Sequence, residues 1–317
     1  MNSKESMLLG VSARSLFDLK YETSILNKEG LKAYREYQRQ NVDKALKPGV
    51  AYRFVQRMLS LNSIVDKGSP LVELAIISRM DPDTGCRVMQ SLSPLNLDAS
   101  ISVFTSGMDT SKYLRSLDVK LYLSMDDNSV KKAIDNNLPA GTILTRKPIT
   151  EHDTGDGDIR VAFDFDGCIG SDSSEFIFRK DGLEAFNRNE MENSELPIDP
   201  GPMFEFIKGL SHIQKAEIQY ADKHKDYHRR LSIGIITARN SIAGIRVMKT
   251  LDSWGISVDD AFYMGGHDKT PVLSAYHPHL FLDDSPRNIQ SARTTVTSVH
   301  VPFGIANPTT SDEQEKK

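Results

Sequence analysis

Two carboxylates close the apolar run Val161-Ala162-Phe163, giving Asp164-Phe165-Asp166-Gly167. At the C-terminal end of a parallel strand such a pair projects into the crevice where open α/β sheets bind ligands. A carboxylate placed there can act as nucleophile, as general acid–base or as ligand to a hard cation. Asp and Gly are equally ordinary turn residues, so the pair alone leaves both readings open. Three more segments follow. The run Leu231–Ile236 ends in Thr237-Ala238-Arg239-Asn240, where a hydroxyl ahead of a helix start suits either a phosphate oxygen or a simple cap. Gly265-Gly266-His267-Asp268-Lys269 brings a lysine out of a turn, and Leu280-Phe281-Leu282-Asp283-Asp284 closes a second strand with a second acidic pair. Two acid-closed strands in one half of the chain suggest a shared hard cation. Taken together, the segments suit phosphoryl transfer, which needs a nucleophile in line, neutralised equatorial oxygens and a cation bridging the charge.

Elements that could hold these groups are visible on both sides of them. Short apolar runs at Leu71–Ile77, Val119–Leu123, Arg160–Phe163, Leu231–Ile236, Leu280–Leu282 and Val296–Val301 read as strands. Met203, Phe206, Ile207, Leu210 and Ile213 recur at helical spacing behind Pro202, a residue suited to a first helical turn. Strands alternating with helices predict parallel sheets covered by helices. At 317 residues the chain has room for about two domains. The polar stretch Thr150–Asp158, rich in Thr, Glu, Asp and Gly, is the expected linker, while Asn2–Glu5 and Pro308–Lys317 read as loose ends.

Composition narrows the function. Hydrophobic residues at 39% and charged residues at 26% are those of a globular chain. A net charge of −4 provides no electrostatic footprint for nucleic acid or an anionic membrane, so neither is an expected partner. Two cysteines, Cys86 and Cys168, exclude a disulfide scaffold. No apolar run is long enough to span a bilayer, and Met1–Lys20 lacks the apolar core of a signal peptide. The expectation is a soluble protein of a reducing compartment, the cytoplasm, and a homo-oligomer is compatible with it.

The two halves also resemble each other. With Ser78 set against Thr237, 11 identities fall between Ser78 and Ala133, among them Gly85/Gly244, Arg87/Arg246, Gly107/Gly266 and Asp109/Asp268. Average composition would give roughly 3–4. Upstream, Lys28-Glu29-Gly30-Leu31 faces Lys180-Asp181-Gly182-Leu183, Pro48-Gly49 faces Pro200-Gly201, and Phe17-Asp18 faces Phe163-Asp164. Internal duplication is the expected origin.

Asp-x-Asp, Thr, Lys and Asp-Asp, in that order, form the four-motif pattern of the haloacid dehalogenase superfamily. Beyond that pattern, the chain resembles the cytosolic 5′-nucleotidase type I family. The resemblance rests on Ser171-Asp172, Gly201-Pro202, Ile213-Gln214, Thr237-Ala238-Arg239, Lys249 to Gly255 and Pro278 to Asp284. In the first half it rests on Tyr37 to Asn41, Ser78-Arg79 and Asp83 to Arg87. It covers residues 12 to 305, with Phe165 and Gly167 departing from the family's usual Asp-Gly-Asp-Ala while the carboxylate spacing is kept.

What the resemblance implies is an α/β fold of two tandem Rossmann-like units of haloacid-dehalogenase type, the second carrying a small cap. Residues 1–150 would be a degenerate structural or regulatory copy and 151–317 the catalytic domain, capped at about 171–228. The implied activity is Mg²⁺-dependent hydrolysis of nucleoside 5′-monophosphates through an aspartyl-phosphate. A phosphatase of another small metabolite, or an inactive nucleotide-binding protein, are the alternatives. Asp164 would be the nucleophile and a metal ligand. Asp166 would be the general acid–base, its backbone carbonyl also on the metal. Thr237 would hold the phosphoryl group and Lys269 neutralise it. Asp284 would ligate the metal with Asp283 in support, and Ser171, Asp172, Ala238 and Arg239 would contact substrate. Phe176, Phe178 and Phe186 read as cap core ahead of a surface for a base.

The first half is expected to be non-catalytic. In the alignment above Asp18 stands opposite Asp164 and Lys20 opposite Asp166. Ser78 replaces Thr237, Thr110 replaces Lys269, and Ser124-Met125 replace Asp283-Asp284.

Overall fold

Ten short strands line up edge to edge in a computed structural model that describes residues 6–145 and 157–307. They are β1 (Met7–Val11), β2 (Val72–Ser78), β3 (Ile101–Phe104), β4 (Leu121–Ser124), β5 (Ala140–Ile143), β6 (Ile159–Phe163), β7 (Leu231–Thr237), β8 (Asp260–Tyr263), β9 (Leu280–Asp283) and β10 (Ser298–His300). Their order is β3-β2-β1-β4-β5-β10-β9-β6-β7-β8. Every neighbouring pair is parallel except β5–β10, where Val299 faces Ile143 and His300 faces Thr142 in antiparallel register. The expected α/β class is therefore present, but both halves contribute to one continuous mixed sheet. Most of the linker Thr150–Asp158 lies outside the described residues, as do Asn2–Glu5 and Pro308–Lys317.

Strands β1, β4 and β9 are buried at every position, as expected where helices cover both faces of a parallel sheet. β3 and β8, at the two edges, are half-exposed. Strand order is the same in each half counted outward from the β5–β10 junction, and β1 and β6 correspond at an offset of 152 residues, as from Val11 to Phe163. Gly30 and Gly182 share that offset. Each interrupts a long helix (Lys20–Gln40 and Ser173–Glu192) at φ 84° and 83°, a left-handed value that favours glycine.

That offset corrects one expectation. Directly after β1 comes Ser12, so Ser12 occupies the place of Asp164 and Arg14 that of Asp166. Asp18 and Lys20 lie past the short helix Ala13–Leu16, with Lys20 opening the next helix. Phe17 resembles the strand end Phe163 only because it too is fully buried in the core.

The expected cap also divides. Helix Phe204–Lys223 buries Phe206, Ile207, Leu210 and Ile213, and the Phe206 ring lies 5.7 Å from that of Phe163. It is a crossover helix packed on the sheet, because its apolar stripe needs a core to face. Helix Ser173–Glu192 buries only Ser174, Phe186 and Glu190, and leaves Phe176 and Phe178 exposed.

Candidate active site

The C-terminal ends of β6, β7 and β9, with the turn after β8, bring four of the expected segments together. Asp164 follows the last residue of β6, and its N–H donates to the Leu282 carbonyl (2.8 Å), locking the β6 end against β9. Lys269 comes from the turn after β8, which is pinned to the end of β7: Met264 N–H donates to Thr237 O, and Gly266 N–H to Ala238 O. Asp268 then accepts from both the N–H and the hydroxyl of Thr270, fixing the start of helix Thr270–Tyr276 and so the direction in which Lys269 leaves the turn. Its ammonium bridges Asp164 Oδ2 at 2.8 Å and Asp283 Oδ2 at 2.7 Å.

Asp283, at the end of β9, is fully occupied. Besides Lys269 it accepts from Ser285 N–H (2.8 Å) and from the Asn288 amide. Asp284 is different, because its Oδ2 is buried without a hydrogen-bond partner among the described residues. Asp164, Asp283 and Asp284 each present a carboxylate oxygen within 4.8 Å of the other two. Gly167 allows this approach: a Cβ there would lie 2.4 Å from Asp284 Oδ2, at a positive φ of 67°.

The electrostatics point to a cation. Burial, and then the charges of Asp164 and Asp283, push Asp284 up to about 9. Burial lifts Asp164 to about 7, with the Lys269 charge pulling the other way. Burial opposes the charge on Lys269, but Asp164 and Asp283 outweigh it and hold its pKa above the ordinary lysine value. Three buried carboxylates with one ammonium are under-neutralised, and a buried carboxylate oxygen without a donor is costly. The donor set fits a divalent hard cation. Such a cation must displace the proton of Asp284, so its affinity is expected to rise with pH up to about 9. Replacing Asp284 with Asn should weaken calorimetric cation binding by roughly 100-fold and flatten that pH dependence. Wild-type affinity in the variant would remove Asp284 from the ligand set.

Asp166 stands outside this cluster. Its two carboxylate oxygens accept a bidentate pair from Arg239, Nε to Oδ2 and Nη2 to Oδ1, both at 2.7 Å. Arg239 was expected to contact substrate, but its side chain is only 1% exposed. Its remaining nitrogen, Nη1, is bonded to the Glu190 carboxylate, and the rings of Phe165 and Phe186 each lie 5.4 Å from the guanidinium carbon. The guanidinium is used up in holding Asp166. Burial opposes its charge, yet Asp166 and Glu190 hold its pKa above the ordinary arginine value. Thr237 is fully buried and its hydroxyl accepts from Arg239 N–H (3.2 Å), while Ala238 is exposed beside it. Asp172 accepts from Ile305 N–H (2.8 Å), and the Ser171 and Ser173 hydroxyls pair at 3.1 Å.

Glu190 is absent from the sequence expectations. It lies wholly buried on helix Ser173–Glu192, bound to Arg239, to Arg246 (3.0 Å) and to the Ser174 hydroxyl (2.8 Å). Burial raises its pKa, but the charge and hydrogen bond of Arg239, the Ser174 hydroxyl and the Arg246 charge together outweigh it, and the net value lies below the ordinary one. Gln38, 152 positions earlier, makes a similar contact, accepting from Arg87 at 2.9 Å.

Comparison with known proteins accords with this geometry. A family model described as 5′-nucleotidase matches residues 1–308. The chain belongs to that family. It is 29% identical over 296 residues to a Homo sapiens protein named cytosolic 5′-nucleotidase 1B, a match covering 92% of this chain and 48% of the relative. The chain thus spans about half the length of that curated relative. No solved structure matches. Asp164, Asp283 and Asp284 form the acidic cluster of this family member. Among the described residues no helix is long and apolar enough to cross a membrane.

Proposed function

We propose that the chain is a Mg²⁺-dependent 5′-nucleotidase of the cytoplasm, hydrolysing nucleoside 5′-monophosphates to nucleoside and phosphate. The observation that carries this reading is Asp164 fixed at a strand end between the Lys269 ammonium and the partnerless oxygen of Asp284. Asp164 attacks phosphorus to form an aspartyl-phosphate. Lys269 neutralises the phosphoryl oxygens, and the Thr237 hydroxyl with the exposed backbone at Ala238 holds them. Asp166 protonates the leaving 5′-oxygen and then takes a proton from the water that cleaves the aspartyl-phosphate. Asp164, Asp284 and the Asp166 carbonyl would hold the Mg²⁺, which supplies charge neutralisation between nucleophile and phosphoryl oxygen. Asp283 holds Lys269 in place. Ser171 and Asp172, at the start of helix Ser173–Glu192, line the substrate side, whereas Arg239 positions Asp166.

We also read residues 1–150 and 151–317 as copies of one ancestral unit, the second catalytic and the first not. The shared strand order supports this, as do paired details. A Cβ on Gly85 would strike the ring of Phe104, and one on Gly244 the ring of Tyr263, a pair at the same offset. Asp109 and Asp268 each accept from the N–H and hydroxyl two residues on.

The substrate class comes from the relative's name, and phosphate release tests it. With Mg²⁺, nucleoside 5′-monophosphates should be hydrolysed at least about tenfold faster than sugar phosphates, and chelation should stop both. Sugar phosphates turned over as fast would favour the general metabolite phosphatase. No release from any substrate would favour a nucleotide-binding protein.

A further inference from the structure

We propose that the crevice at the strand ends of the first half binds an organic phosphate without a metal. Of the catalytic positions, Asp164, Asp166, Thr237, Lys269, Asp283 and Asp284 correspond to Ser12, Arg14, Ser78, Thr110, Ser124 and Met125. Four carboxylates and a lysine are thus exchanged for hydroxyls, a thioether and an arginine, and the sign of the local charge is reversed. Among the described residues no acidic cluster able to hold a cation exists in this half. A negatively charged ligand here would have to be held by the protein's own cations.

The crevice is open and of suitable size. A cavity of about 420 Å³ is lined by Arg14, Arg35, Arg79 and the serines Ser12, Ser78 and Ser124. A second cavity of about 350 Å³ adjoins it, sharing Arg14 and adding Lys20 with Asp18. Both volumes lie in the range of small-molecule sites. Arg35 is paired with Asp81 at 3.1 Å, and Arg79 with Asp126 at 3.1 Å. Arg79 also donates to Gly107 O, which sets its guanidinium against the turn after β3. Arg14 has no carboxylate partner among the described residues and is exposed. In the second half the corresponding Asp166 is matched to a buried arginine, whereas here the arginine itself is the unmatched group. A guanidinium fork bonds phosphate oxygens bidentately, and serine hydroxyls can complete the shell. Leu19, Leu26 and Leu31, with the Tyr34 ring, form the other wall. That wall offers nothing to a bare phosphate ion and suits the apolar face of a phosphorylated organic body such as a nucleotide.

The test is calorimetric titration of the full chain with AMP in excess chelator, where Mg²⁺-dependent turnover cannot occur. AMP is expected to bind the wild type, and at least about tenfold more tightly than inorganic phosphate. Arg14→Glu should weaken AMP binding at least about tenfold, since a charge-assisted contact becomes repulsive. Arg14→Ala should give a smaller loss in the same direction, and both variants should melt as the wild type does, because Arg14 is exposed. Thr237→Ala, in the other crevice, removes any AMP held at the phosphoryl site there, and the binding event that Arg14→Glu weakens should persist in it. No AMP binding to the wild type, unaltered binding in Arg14→Glu, or its loss in Thr237→Ala would overturn the site. Equal affinity for AMP and phosphate would overturn the organic phosphate as its ligand. Phosphate release with Mg²⁺ is read separately, so failure here leaves the proposed catalytic function standing or falling on its own assay.

Discussion

Asp164→Asn is expected to lower phosphate release by about 10⁴-fold or more while the protein stays folded. An amide cannot form the aspartyl-phosphate, and the neighbouring Asp283 is held by Lys269, Ser285 and Asn288. The fold should tolerate the change. Asn has the shape of Asp, and Lys269 keeps Asp283 as a partner at 2.7 Å. Removing one of three crowded carboxylates also relieves repulsion, for burial and the neighbouring charges of Asp283 and Asp166 already push Asp164 up to about 7. Turnover and thermal unfolding measured on the same preparation check both statements. Retention of more than roughly a tenth of wild-type activity in a correctly folded variant would eliminate Asp164 as nucleophile.

Arg239→Met should cost stability as well as activity. The substitution fills similar volume but leaves the fully buried Glu190 with Arg246 alone and Asp166 with no cation. Breaking a buried ion pair from one side typically costs about 3–5 kcal/mol, because the partner remains buried and charged. Denaturant unfolding should show a loss of that size. Lysine at 239 should not restore the enzyme, since an ammonium cannot make the fork that spans both oxygens of Asp166. Adding Glu190→Gln to Arg239→Met should recover part of the lost stability by removing the stranded charge. Should the double variant be less stable than the single, the stranded-charge explanation would fail. Because Asp166 is then free to rotate, turnover of nucleotides with a poor leaving group should fall more than turnover of an activated ester.

Strands closed by chemistry were the easiest part to read in the sequence. The runs Val161–Phe163, Ile233–Ile236 and Leu280–Leu282 lack charged and hydroxyl side chains because they are buried on both faces, so the carboxylates and hydroxyl that close them stand out. The edge strands β3 and β8 are half-exposed and carry no such run, and β5 reads Ala-Gly-Thr-Ile, with Gly141 packed against Val299. β1 went unread, and that omission let Phe17-Asp18 stand in for a strand end. Arg239 illustrates a different limit. An arginine after a strand-end threonine has the right charge for a phosphate, and nothing local shows that a glutamate 49 positions earlier arrives beside it. Only the tertiary path of helix Ser173–Glu192 creates that pair.

The single antiparallel junction between β5 and β10 has a geometric result. Strands within each half run the same way, and the junction reverses that direction once, so the two crevices open at opposite edges of the sheet, back to back. Across this junction Val299 faces Ile143 and His300 faces Thr142. His300 on that line lies 3.1 Å from the Asp284 carbonyl. The seam between the halves thus reaches the acidic cluster through one side chain, His300, and the Asp284 backbone.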